Sequence, residues 1–128
     1  MLQLGGKERK QDIYVAKTIG WKKIERNSAG DFVGFSPISN REEIIPFYCS
    51  DKNEAYKLSK WVSKQYPEVT MSVQQMHDSF WCFWDIKRVK GKERRLDFSK
   101  DETLALVVSL SSVKVFLLLR KRFDSFMD

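Results

Sequence analysis

Phe80-Trp-Cys-Phe-Trp-Asp-Ile86 is the stretch that decides the fold. It is dense in aromatic and apolar residues and reads as a strand. Side chains alternate between the two faces of a strand. Phe80, Cys82, Trp84 and Ile86 therefore fall on one side, and Trp81, Phe83, Asp85 and Lys87 on the other. The first side is apolar throughout, whereas the second begins aromatic and ends charged. That pattern fits a central strand, covered on both faces at its start and exposed on one at its end.

Working outward, Val69, Met71 and Val73 alternate with polar residues, so Glu68 to Gln75 is predicted as a half-buried strand. Met76-His-Asp-Ser79 turns the chain between the two. Lys90-Gly-Lys92 makes the next turn, and Arg94, Leu96 and Phe98 continue as a third strand. Ser99-Lys-Asp-Glu102 reads as a capping box. The helix it opens carries Leu104, Ala105, Val107, Val108, Leu110, Val113, Phe116, Leu117 and Leu119. Ser109, Ser111 and Ser112 mark a point where that helix is expected to bend or break. The basic run Arg120-Lys-Arg122 suits a helix C-terminus.

The first half begins with a helix from about Lys7 to Ile19, with Gly20 placed for a left-handed cap. A strand from Trp21 to Arg26, a turn over Asn27-Ser-Ala-Gly-Asp31 and a returning strand Phe32-Val-Gly-Phe35 follow. Pro37 closes that hairpin, and residues 36–46 read as a loop. Ser50 is the expected N-cap of a second helix, with Asp51 in its first turn. Ala55, Leu58, Trp61, Val62 and Tyr66 lie at helical spacing until Pro67 ends the helix. The expected core is Ala16, Trp21, Leu58, Trp61, Phe80, Cys82, Trp84, Leu104 and Val108. The class is α+β: three helices and an antiparallel sheet of about five strands in a single domain over residues 1–128, with 1–8 loose.

Asp12, Val15 and Ala16 in the first helix and the Gly20-Trp21 junction after it, with Ile45, Pro46, Tyr48, Ser50, Ala55 and Leu58 around the second helix, resemble the phage ABA sandwich domain. This is a small family of bacteriophages and prophages with no settled activity. Cys49 stands between a Tyr and a Ser that the family usually runs together. The resemblance covers most of the chain and implies an α-β-α layered sandwich. It also implies a small phage or prophage accessory protein in the bacterial cytoplasm, an anti-defence inhibitor being one concrete form. The matched positions are structural ones and carry fold rather than function.

The chain has 128 residues, 42% hydrophobic and 31% charged, ordinary for a globular domain that needs no staples. A net charge of +6 argues against a mimic of DNA and permits contact with phosphates or an acidic protein. Neither a secretory leader nor a run of roughly 20 apolar residues is legible, which points to a soluble intracellular protein.

The sharpest charge cluster is Lys87-Arg-Val-Lys-Gly-Lys-Glu-Arg-Arg95, beside Trp81, Phe83 and Trp84. Basic side chains that track phosphates next to aromatic platforms are what single-strand binders use. The competing reading is a solvated hairpin tip with its aromatics in the core. The candidate binding residues are Trp81, Phe83, Lys87, Arg88, Lys90, Lys92, Arg94 and Arg95. Cys49, Cys82 and the lone His77 have no metal-ligand spacing, so neither metal nor cofactor is expected. Asp51, Glu54, Asp97, Asp101 and Glu102 mostly fall at helix starts, where the dipole accounts for them. With no nucleophile–base set and no phosphate loop, the sequence reads as a stoichiometric binder rather than an enzyme. A host or phage protein partner comes first, binding of nucleic acid or a nucleotide through the basic 87–95 hairpin second, and an assembly factor whose exposed aromatics form an oligomer interface third.

Overall fold

Gly20 ends the first helix, α1 (Lys7–Ile19), at a φ of +110° that only glycine adopts freely. The Gly20 N–H donates to the Lys17 carbonyl at 3.3 Å and the Trp21 N–H to the Ala16 carbonyl at 3.0 Å. These are the paired bonds of a Schellman cap, and they turn Trp21 inward to burial beside Ala16. The computed structural model describes residues 7–87, 93–101 and 103–127. Of the segment expected to be loose, residues 1–6 lie outside these, while Lys7 and Glu8 belong to α1.

Two strands, β1 (Lys22–Arg26) and β2 (Phe32–Phe35), form the predicted hairpin. Asn27 Oδ1 organises its turn by accepting the Ala29 and Asp31 N–H groups at 3.0 and 2.9 Å. Gly34 lies so close to the neighbouring chain that a Cβ there would meet Trp21 at 3.2 Å and the Lys22 carbonyl at 3.1 Å. A third strand, β3 (Glu42–Ile44), pairs with β2 through Val33 and Ile44. This corrects the expected loop over 36–46. Three residues, two of them glutamates, carry neither strand propensity nor a readable period, and only the ladder to β2 holds them extended.

Helix α2 (Lys52–Gln65) starts one residue later than expected. Its N-cap is Asp51, not Ser50: Asp51 is extended and its carboxylate accepts the Asn53 N–H at 2.9 Å. Ala55, Leu58 and Val62 are fully buried, each of the larger two contributing about 1.5–3 kcal/mol by burial. Trp61 is half-buried and leans on Phe116, ring centroids 5.3 Å apart.

Strands β4 (Val69–Met76), β5 (Ser79–Lys87) and β6 (Glu93–Asp101) form a second antiparallel sheet in sequence order, with β5 central. Its register sets Val73 against Cys82 and Met71 against Trp84, so these residues share a face. Helix α3 (Leu104–Met127) packs on that face against β5 and β6, and α2 packs there against β4. Helix α1 packs on α3.

The α+β class therefore holds, with three helices, but the single sheet of about five strands does not. Among the described residues two separate three-stranded sheets replace it, and no strand of one pairs with a strand of the other. At the second sheet the expected α-β-α layering is also replaced: α2 and α3 lie on the same face.

The capping box at Ser99–Glu102 is a second correction. Ser99 sits in β6 opposite Cys82, Glu102 lies outside the described residues, and the Thr103 carbonyl accepts the first helical bond, from Val107, at 3.2 Å. The ladder to β5 outcompetes a local motif. Nor does α3 break at its serines. Of the expected core, Ala16, Trp21, Leu58, Cys82, Trp84 and Val108 are buried, and Trp61, Phe80 and Leu104 pack partly buried against them.

Candidate functional site

On the face of β5 opposite the helices, Trp81 and Phe83 stack with ring centroids 6.1 Å apart and planes inclined by 15°. Both are half-buried, whereas Cys82 and Trp84 between and beside them are fully buried. Strand alternation alone produces this division. The β4 register partners of Trp81, Phe83 and Asp85 are Gln74, Ser72 and Thr70, all exposed and uncharged. On the other flank Trp81 pairs in register with Lys100, Phe83 with Phe98, and Asp85 with Arg95. The register slips between Trp84 and Asp85, passing over Leu96 on β6. Such a bulge increases local twist.

Of the eight candidate residues, Trp81 and Phe83 are thus brought together on one face. Lys87 ends β5 opposite Glu93, and Arg94 and Arg95 stand in β6 opposite Ile86 and Asp85. Arg88, Lys90 and Lys92 lie outside the described residues. The run 87–95 sets six basic residues against Glu93 alone, a net +5 of the chain's +6. Most of the net charge is thus concentrated in one short stretch of the sequence.

A second polar constellation went unread in the sequence. Arg9 and Asp12, one turn apart on α1, are both buried and form an ion pair at 2.8 Å. The other Asp12 oxygen accepts the Cys49 N–H at 2.8 Å. Arg9 donates to the Ile45 carbonyl at 2.8 Å and to the Pro46 carbonyl at 3.3 Å, with its guanidinium 3.9 Å from the centre of the Phe47 ring. From the far side the Ser109 hydroxyl donates to the Tyr48 carbonyl. The segment 45–49 is held by its backbone between α1 and α3. Its one sequence signal was Asp12, an acid amid apolar helix positions.

The neighbouring serine has a similar task. Ser111 accepts the Trp84 indole N–H at 3.1 Å and lies 3.1 Å from the Cys82 sulfur. Burial pushes the Tyr48 phenol well above its ordinary range; the Trp21 indole beside it opposes this, and the Glu54, Glu43 and Asp12 carboxylates add to it. Among the described residues, the indole N–H of Trp21 is the buried side-chain donor left without an acceptor of good geometry.

The remaining candidates for chemistry have structural roles or none in view. Cys49 and Cys82 are buried and not joined in a disulfide. His77 is exposed at the β4–β5 turn with a φ of +55°. Asp51 caps α2, and Glu54 pairs with Lys57 at 3.3 Å. Asp97 and Asp101 stand in β6, not at a helix start. Among the described residues no group of three His, Cys, Asp or Glu side chains is placed to hold a metal ion. None of their helices is long and apolar enough to cross a membrane. An open depression of about 410 Å³ is lined by Ser36, Arg41, Glu43, Tyr48, Glu54 and Lys57 among others, with acids and bases mixed. No family model, curated protein or solved structure matches the chain.

Proposed function

We propose that this chain is a non-catalytic binding module that acts stoichiometrically on a macromolecule through the helix-free face of its second sheet. The observation that carries the reading is the Trp81–Phe83 stack: two partly buried aromatic rings held within 15° of parallel on the central strand. Aromatic anchors of this kind dominate the energetics of protein interfaces. The polar, uncharged flank of Thr70, Ser72 and Gln74 suits a rim that is easily desolvated. The resemblance to a phage domain supports a small accessory protein that occludes or sequesters a host or phage protein.

A second reading has its own observation in its favour. A flat aromatic pair beside a run that carries most of the net charge matches how single-stranded nucleic acid is held, by stacking of bases and tracking of phosphates. An oligothymidine and an oligouridine, titrated while Trp fluorescence is followed, test it. Binding is expected to weaken steeply with salt, and Trp81→Ala combined with Phe83→Ala to remove it with circular dichroism unchanged. No quenching by either probe at low salt leaves the protein reading. That reading in turn requires the same double variant to lose a partner captured from the bacterial host. A partner found cleaved or modified by substoichiometric protein overturns both.

A further inference from the structure

Among the described residues the two sheets have four edge strands, and three of them carry the features that keep strands from pairing with neighbouring molecules. Strand β1 reads Lys22-Lys-Ile-Glu-Arg26 and is bulged between Lys22 and Glu25. Strand β3 is three residues long with two glutamates. Strand β6 contains Glu93, Arg94, Arg95, Asp97, Lys100 and Asp101, and its register slips beside Trp84.

Strand β4 is the exception. It reads Val69-Thr-Met-Ser-Val-Gln-Gln-Met76: eight residues without a charge, a proline or a glycine. Its register runs unbroken from Val69 opposite Ile86 to Met76 opposite Ser79. In a chain with 31% charged residues, the longest regular edge is also the uncharged one. At about 3.4 Å per residue it offers some 27 Å of backbone whose outward N–H and C=O groups are not used by the sheet.

We propose that β4 pairs antiparallel with β4 of a second copy of this chain, joining two three-stranded sheets into one of six strands. A strand that meets itself across a two-fold axis sets its residues against one another. A charge near that axis would lie close to its own copy, and like charges facing each other across strands are destabilising. The neutrality of β4 removes that repulsion from a protein that is otherwise strongly basic. On the helix side, half-buried Met71 and Val73 supply apolar contact, and an open groove between α2 and β4 is lined by Tyr56, Lys60, Lys64, Val69 and Met71. On the other side Thr70, Ser72 and Gln74 are exposed, with hydroxyls and an amide able to bond across the seam. The joined sheet would carry two Trp81–Phe83 stacks on one face, their β5 strands three spacings, or about 14 Å, apart. This inference goes beyond the binding reading and stands without it.

Sedimentation equilibrium over a wide concentration range tests it. The full chain is expected at twice its monomer mass, and Ser72→Lys and Gln74→Lys, each placing a charge at the middle of the edge, at monomer mass with circular dichroism unchanged. Amide exchange of the wild type gives a reading that no variant can spoil: β4 amides are expected to be protected in proportion to the dimer present. A wild type that stays monomeric at the highest concentration overturns the proposal. So does a dimer that survives both substitutions, or one in which protection rises elsewhere and not on β4. Protection of β4 only when an unrelated protein is added also overturns self-pairing.

Discussion

The buried junction around Asp12 and the aromatic face around Trp81 combine polar and apolar groups on opposite plans. At the junction Arg9, Asp12 and Ser109 are buried, and each is matched to a named backbone or side-chain partner. On the face, Trp81 and Phe83 are only partly buried, beside exposed Thr70, Ser72 and Gln74. A charge removed from water must be satisfied within the fold, and at the junction Arg9 and Asp12 satisfy each other and the backbone of residues 45–49. The face instead stacks two partly buried rings at the surface of the sheet, and the proposed binding role rests on that arrangement.

The comparison breaks most readily at Asp12. Asp12→Ala leaves the Arg9 guanidinium buried without its counter-charge and the Cys49 N–H without an acceptor. Loss of one partner of a buried pair typically costs about 3–5 kcal/mol, a large share of a small domain's stability. Urea unfolding measures it. A midpoint like that of the wild type would show that water replaces the carboxylate and that the junction does not brace the fold.

A smaller effect is expected from Ser111→Ala, which removes the acceptor of the buried Trp84 indole. The cost of an orphaned donor is about 1–3 kcal/mol. The same measurement, with Trp84 fluorescence as the probe, checks it, and an unchanged midpoint would place the serine among the packing residues only.

Tyr48 sharpens the contrast at high pH and leaves neutral stability untouched. Its folded phenol is raised by burial, so the folded state holds the proton more tightly than the unfolded chain does. The stability linked to it is fully present below the unfolded phenol pKa of about 10 and is lost as pH rises from there toward the folded value. Thermal melts of the wild type are expected to fall above that pH and those of Tyr48→Phe to fall less. Parallel curves would assign the alkaline loss to other groups.

Much of the fold was legible where the signal is local. Gly20 before Trp21, the Asn27 turn and the spacing of Ala55, Leu58 and Val62 each act within a few residues, and each forms as read. What stayed illegible depends on distant partners. Glu42-Glu-Ile44 is a strand only because β2 lies beside it. Ser99-x-x-Glu102 matches a cap but is drawn into the ladder with Cys82. Ser109 and Ser111 look like a flaw in an apolar helix until Tyr48 and Trp84, far away in the chain, are seen to meet them. On the face of Trp81 and Phe83 the alternation was plain in the sequence, and their near-parallel stacking was not, because ring orientation follows from packing rather than from spacing.

The hydrogen bonds that pin the 45–49 segment reach back 36 and 37 residues to α1 and forward 61 residues to α3. Contacts that close such long loops slow folding, because chain entropy is lost before they are formed. On the ribosome the first brace can close once Cys49 has emerged, but the second waits for Ser109. The C-terminal helix is thus the element that locks a turn synthesised 61 residues before it.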